Sequence, residues 1–141
     1  MDTLEKLNEL HKLAQDEEVD VYYYPLRSMD AVYVARSGQC SIGIDRGLAS
    51  TESNEMEALA HELGHHFIGV PKSSPERIAV KAEYRARRWA VDKLIPWEAF
   101  QEALEDPFND NDWNIAEYFG VSVETLRMAI HGFQMRGLLP G

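Results

Sequence analysis

Leu4, Leu7, Leu10 and Leu13 recur at three-residue spacing among charged neighbours. That spacing keeps one side of a helix apolar, so it predicts an amphipathic helix from Thr3 to about Gln15, capped by Thr3 and packed along its leucines. His11 falls on the polar side and reads as a surface histidine. The period then changes. Val19 to Tyr24, Ala31 to Ala35 and Cys40 to Ile44 are rich in β-branched and aromatic residues, separated by the turn-forming stretches Pro25 to Asp30 and Ser37 to Gln39. In the third run Cys40, Ile42 and Ile44 alternate with Ser41, Gly43 and Asp45, which sends one face to a core and leaves the other wet. A small, mostly antiparallel three-stranded sheet is predicted.

Downstream the helical period returns. A helix from about Ser53 to Ile68 has Ser53 or Thr51 as cap, and Glu55 and Glu57 in its first turn, where the helix dipole favours carboxylates; Gly69 and Pro71 end it. A polar connection with Ser73, Ser74 and Pro75 leads to a helix from about Glu76 to Leu94, stopped before Pro96, and to a short one from Trp97 to Glu105. Asp106 to Asp112 is a loop by composition. Two more helices, Ile115 to Phe119 and Ser122 to about Met135, flank a Gly-Val-Ser turn. A sheet early and helices later give one α+β domain over 1–141 with a helical C-terminal half, in which 112–141 has the rhythm of a helix-turn-helix.

Composition narrows the function classes. A chain of 141 residues, 45% hydrophobic, supports one sizeable core. The net charge of -10 opposes phosphate binding, and the second helix of the helix-turn-helix-like segment offers only Arg127 and later Arg136 against Glu124. No direct nucleic-acid contact is expected, and Ile115, Ala116, Phe119, Val121, Leu126 and Ile130 read as packing residues. Cys40 is the only cysteine, which excludes an internal disulfide and a multi-cysteine metal site; it reads as a small buried hydrophobe. With no basic start followed by an apolar run and no long uncharged apolar stretch, the chain is expected in the cytoplasm, away from membranes.

The strongest chemical signal is His61-Glu62-Leu63-Gly64-His65, an H-E-x-x-H pattern inside a predicted helix. Residues four apart share a helix face, so both imidazoles reach one tetrahedral ion at about 2.0–2.1 Å. Met56, Leu59, Ala60, Leu63 and Phe67 cluster on the opposite side, leaving the histidine face free for metal. Zinc is the favoured ion for such donors, with a third protein ligand and an open position. Glu76, Glu83, Asp92 and Glu98 are available, and Glu83 is favoured because it lies well inside the next helix, beyond a connection long enough to reverse the chain. Glu62 projects beside the ligand pair, where it can take a proton from water without binding the ion. His66, four residues on, is either a neighbour of that base or a surface histidine. Tyr22, Tyr23, Tyr24, Tyr84 and His131 are candidate donors to a developing oxyanion. Arg77, Lys81, Arg85 and Arg88 repeat at helical spacing and read as a solvated basic face.

These residues carry a resemblance. His61-Glu-Leu-Gly-His65, followed by Glu83-Tyr-Arg-Ala-Arg-Arg-Trp-Ala90, resembles the ImmA/IrrE metallopeptidases, most of all their ImmA-like branch from phages and conjugative elements. The likeness runs from about Gln39 onward. It implies a zincin-like active-site helix and, through a Glu followed by Ala and an aromatic-Ala pair, Glu83 as the third zinc ligand. Arg87 departs from the Asn or Asp that many members carry. The resemblance implies a zinc-dependent endopeptidase acting on one cytoplasmic protein, a helix-turn-helix repressor of a phage or mobile element. Read as an exposed strand, Cys40 to Ile44 is expected to align substrate by strand addition. The rival reading is a non-catalytic, zinc-stabilised antirepressor that acts by docking, for which Glu62 has no use.

Overall fold

The computed structural model describes residues 2–69 and 76–141, with 76–78 as backbone alone. The chain forms α1 (Thr3–Asp16), β1 (Val19–Tyr23), β2 (Ala31–Arg36), β3 (Gln39–Ile44), α2 (Glu52–Ile68), α3 (Glu76–Leu94), α4 (Trp97–Leu104), α5 (Asp112–Phe119) and α6 (Val123–Met135). The α+β class and helical C-terminal half are as expected. Boundaries move where a capping side chain decides them. Asp2, not Thr3, caps α1, its carboxylate accepting from the Glu5 N–H at 2.8 Å. Thr51, not Ser53, caps α2 by accepting from Asn54 N–H at 3.0 Å. Asn111 starts α5 earlier than its apolar residues suggest. The expected Pro71 stop and the Ser73 to Pro75 connection lie outside the described residues.

The sheet corrects the expectation of mostly antiparallel pairing. Its order is β1-β3-β2, so β3 is central, antiparallel to β2 but parallel to β1. Side chains alternate with the same period in either orientation, which is why the sequence pattern could not distinguish them. The β2–β3 turn is tight, with positive φ at Ser37 and Gly38, and Asp45 just beyond β3 gathers the loop that carries the chain from β1 to β2. Its carboxylate accepts from the N–H groups of Leu26 at 3.0 Å, Arg27 at 3.2 Å and Gly47 at 2.8 Å. A central β3 has no free edge, so strand addition on Cys40 to Ile44 is excluded. Cys40 itself is half-buried rather than buried.

Ile42 and Ile44 of β3 meet Met56, Leu59 and Leu63 of α2 in the fully buried core. The C-terminal helices add a second aromatic centre, where the Phe133 ring lies 4.9 Å from Trp97 and 5.1 Å from Phe100. Ile115, Ala116, Phe119, Val121 and Leu126 are buried and Ile130 partly so, as their packing role requires. Two polar ties fix these helices to the rest. Lys6 of α1 donates to Phe119 O at 2.8 Å and Leu94 O at 3.3 Å, at two helix C-termini where a cation is favoured; burial lowers its pKa to about 8. Glu57 of α2 accepts from Ser122 N–H at 3.2 Å, from Ser122 Oγ at 3.3 Å and from Thr125 Oγ1. Among the described residues no helix is long and apolar enough to cross a membrane.

The backbone donors around Asp45, Arg27 foremost, hold its carboxyl below the ordinary carboxylate range. A depressed folded pKa contributes stability above the unfolded value and loses it as pH falls through the folded one. Asp45→Asn is therefore expected to melt well below wild type at neutral pH, the gap narrowing as both are acidified. Thermal unfolding monitored between neutral and strongly acidic pH checks this.

Candidate metal centre

The site begins with a glycine. A Cβ on Gly64 would stand 2.3 Å from the backbone carbonyl oxygen of Ala86, so α2 and α3 approach more closely than any side chain at 64 allows. Ala82, Ala86 and Ala90 keep the facing side of α3 small and buried. This approach brings Glu83, one turn before Ala86, over the two imidazoles that α2 presents side by side. Glu83 Oε1 lies 2.5 Å from His61 Nε2 and Oε2 lies 2.8 Å from His65 Nε2, with the two rings 5.0 Å apart.

The three residues suit a metal ion. One ligand atom from each lies within 4.8 Å of the others, and a tetrahedral set with bonds of about 2.0–2.1 Å needs spacings of roughly 3.3 Å, within reach of small side-chain rotations. Burial holds His61 below its usual pKa, with His65 and Arg87 adding to the effect and Glu83 opposing it, so the neutral, ligating form is favoured. His65 keeps its Nε2 toward Glu83, while its buried Nδ1 has no hydrogen-bond partner among the described residues.

Glu62 is the buried acid beside them, only 8% exposed. Burial first, then the charges of Glu83 and Asp30, push its carboxyl up to about 7, against a stabilising N–H from Tyr33. It opens into a cavity of about 300 Å³ that also reaches His61, Glu83, Asp30, Arg87, Thr125 and Met128. A carboxyl of that pKa in a cleft beside convergent metal-type donors is suited to exchanging protons near neutrality.

The sequence of residues 14–131 matches the family of peptidase M78, the IrrE N-terminal-like domain. The chain belongs to this family. It is a metallopeptidase family, so the expected resemblance holds at that level, and its match takes in every residue of the cluster. No curated protein matches the chain.

In this M78 domain the other sequence candidates fall outside the cluster. Asp92 pairs with Arg88 at 3.0 Å, Glu98 is exposed on α4, and the Glu76 side chain lies outside the described residues. His66 is not free: it contacts Tyr33 Oη at 2.8 Å and Glu17 at 3.1 Å, tying α2 to β2 and to the residue that ends α1. His11 contacts Glu55 at 3.2 Å and the Tyr23 hydroxyl. Tyr22 on β1 and Tyr24 just beyond it are exposed, while Tyr84 and His131 line a different groove between α3 and α6. Arg88 is no solvated charge, since it donates to Met128 O at 3.0 Å and occupies the space a Cβ on Gly132 would need. Phe67 is 40% exposed, stacked 4.9 Å from Trp89 rather than in the core. Arg87 was not among the sequence candidates for the chemistry, although it stands one helical turn beyond Glu83 on the same face.

Gly64→Ala forces a methyl against a backbone carbonyl and is expected to cost about 1–3 kcal/mol as the helices part. Urea unfolding of the two proteins measures it; equal midpoints would show that the α2–α3 approach is not required for the fold.

Proposed function

We propose that this M78 peptidase binds one zinc ion through His61, His65 and Glu83, uses Glu62 as general base, and hydrolyses a specific cytoplasmic protein. The observation that carries the reading is the convergence of two imidazoles and one carboxylate beside a buried carboxyl raised to about 7. An ion bound there supplies Lewis acidity toward a carbonyl oxygen and makes water a stronger nucleophile. Glu62 takes a proton from the attacking water as its oxygen bonds to the scissile carbonyl carbon, then returns it to the nitrogen that leaves when the C–N bond breaks. The side chains of Ala58, Ala90, Val91 and Leu94 give the cleft an apolar lining on which a polypeptide can rest.

Strand addition moves from β3 to an edge. With the order β1-β3-β2, β2 is the edge strand whose Tyr33 amide meets Glu62, which favours it for aligning an extended substrate. The proposed substrate is the helix-turn-helix repressor of a phage or mobile element, on the strength of the sequence resemblance. No direct DNA contact is proposed, because Thr125 and Met128 of α6 face the cleft and the α5–α6 apolar residues are consumed in packing.

Elemental analysis is expected to give near-stoichiometric zinc in wild type and Glu62→Gln, and little in His65→Ala or Glu83→Ala. Zinc retained by Glu83→Ala moves the third ligand elsewhere. On a cleavable repressor, Glu62→Gln is expected to slow hydrolysis by about 10²–10⁴-fold. Equal cleavage by the two proteins removes Glu62 as base, and repressor release from DNA without any cleavage favours the docking antirepressor.

A further inference from the structure

The cleft contains acid, metal-type donors and apolar surface, but peptide hydrolysis also places negative charge on the scissile carbonyl oxygen, which gains from a fixed hydrogen-bond donor. The tyrosines and His131 named from sequence are elsewhere or already engaged. Within the cavity that holds Glu62, the side-chain donors other than the two imidazoles are Thr125 and Arg87, among the described residues. Thr125 already donates to Glu57. Arg87 remains.

Its placement fits the task. Arg87 follows Glu83 by one helical turn, and its guanidinium stands 3.9 Å from Glu83 Oε1, the oxygen that lies 2.5 Å from His61 Nε2. Its side chain is 49% exposed and borders both the cavity of about 300 Å³ and a neighbouring one of about 320 Å³, so it lies on the wall between them. A long contact of 3.9 Å between half-exposed groups is a weak pair, which leaves most of the five guanidinium donors available. The other charged side chains lining the main cavity, the imidazoles aside, are Asp30, Glu57, Glu62 and Glu83, all acidic.

We propose that Arg87 is a catalytic residue of this peptidase: its guanidinium donates to the scissile carbonyl oxygen as that oxygen becomes anionic. The inference rests on the metallopeptidase reading above. A purely structural Arg87 would instead steady Glu83, and its loss would change metal retention rather than recognition of an anion.

The test uses the full chain loaded with zinc, in wild type, Arg87→Ala and Arg87→Lys. Two probes are titrated calorimetrically: acetohydroxamate, which needs the metal, and a phosphinic pseudopeptide with alanine on either side of its tetrahedral anion. Arg87→Ala is expected to keep its zinc and its acetohydroxamate affinity while binding the pseudopeptide on the order of 10- to 100-fold more weakly, with Arg87→Lys in between. Parallel loss of both probes, or of zinc, assigns Arg87 to Glu83 and overturns the proposal. So does unchanged pseudopeptide binding, or a zinc-loaded wild type that takes acetohydroxamate but not the pseudopeptide. A wild type that binds no zinc fails the metallopeptidase reading itself, a result distinct from all of these.

Discussion

The contact on which the rest depends is backbone against backbone, where α2 meets α3 at Gly64 and Ala86. Neither residue has a functional group to contribute, yet their separation sets how far Glu83 stands from His61 and His65. A carboxylate on a helix has a short reach, so the helices that carry Glu83 and the two imidazoles must be brought within a side chain's length of each other. Small residues on the facing surfaces achieve this without polar cost. The sheet supports the arrangement from the opposite side of α2, with Ile42 and Ile44 against Met56, Leu59 and Leu63 holding the histidine face outward.

Opposed electrostatic demands are met within this small volume. Burial makes Glu62 reluctant to ionise and His61 reluctant to protonate, which suits a proton acceptor and a ligand respectively. Glu83 and Asp30 reinforce the first effect. Arg87 reinforces the second and counters the concentration of acid. The net charge of -10 is thus not spread indifferently, because part of it is drawn into the cleft, where a cation on the adjacent turn stands against it.

Most of the architecture was legible because it is written in local patterns. The α2 helix, its paired imidazoles and, Phe67 apart, its apolar side follow from spacing alone, and α3 has the bounds expected of it, Glu76–Leu94. What failed depended on partners distant in sequence. The parallel pairing of β1 with β3 requires knowing that β3 inserts between its neighbours, a fact no alternation pattern contains. The restraint of His66 by Tyr33 and Glu17 joins residues from three elements. Glu83 was favoured by its place in the next helix and again by likeness to a known motif, but the Gly64 contact that places it was hidden in an ordinary small residue. Arg87 had a readable signal, its one-turn offset from Glu83, but its meaning depended on the cavity.

Glu57 stands one turn before His61, so Glu57, His61 and His65 form a continuous row along α2. Its carboxylate is nevertheless consumed at the start of α6, between Ser122 and Thr125. The first rung of the row is thereby committed to packing, and turning it toward the cleft would break the joint that holds the last helix in place. One stripe of side chains thus does two unlike jobs: at one end it turns imidazoles toward the cleft, and at the other it pins the helix that forms the cleft's C-terminal wall.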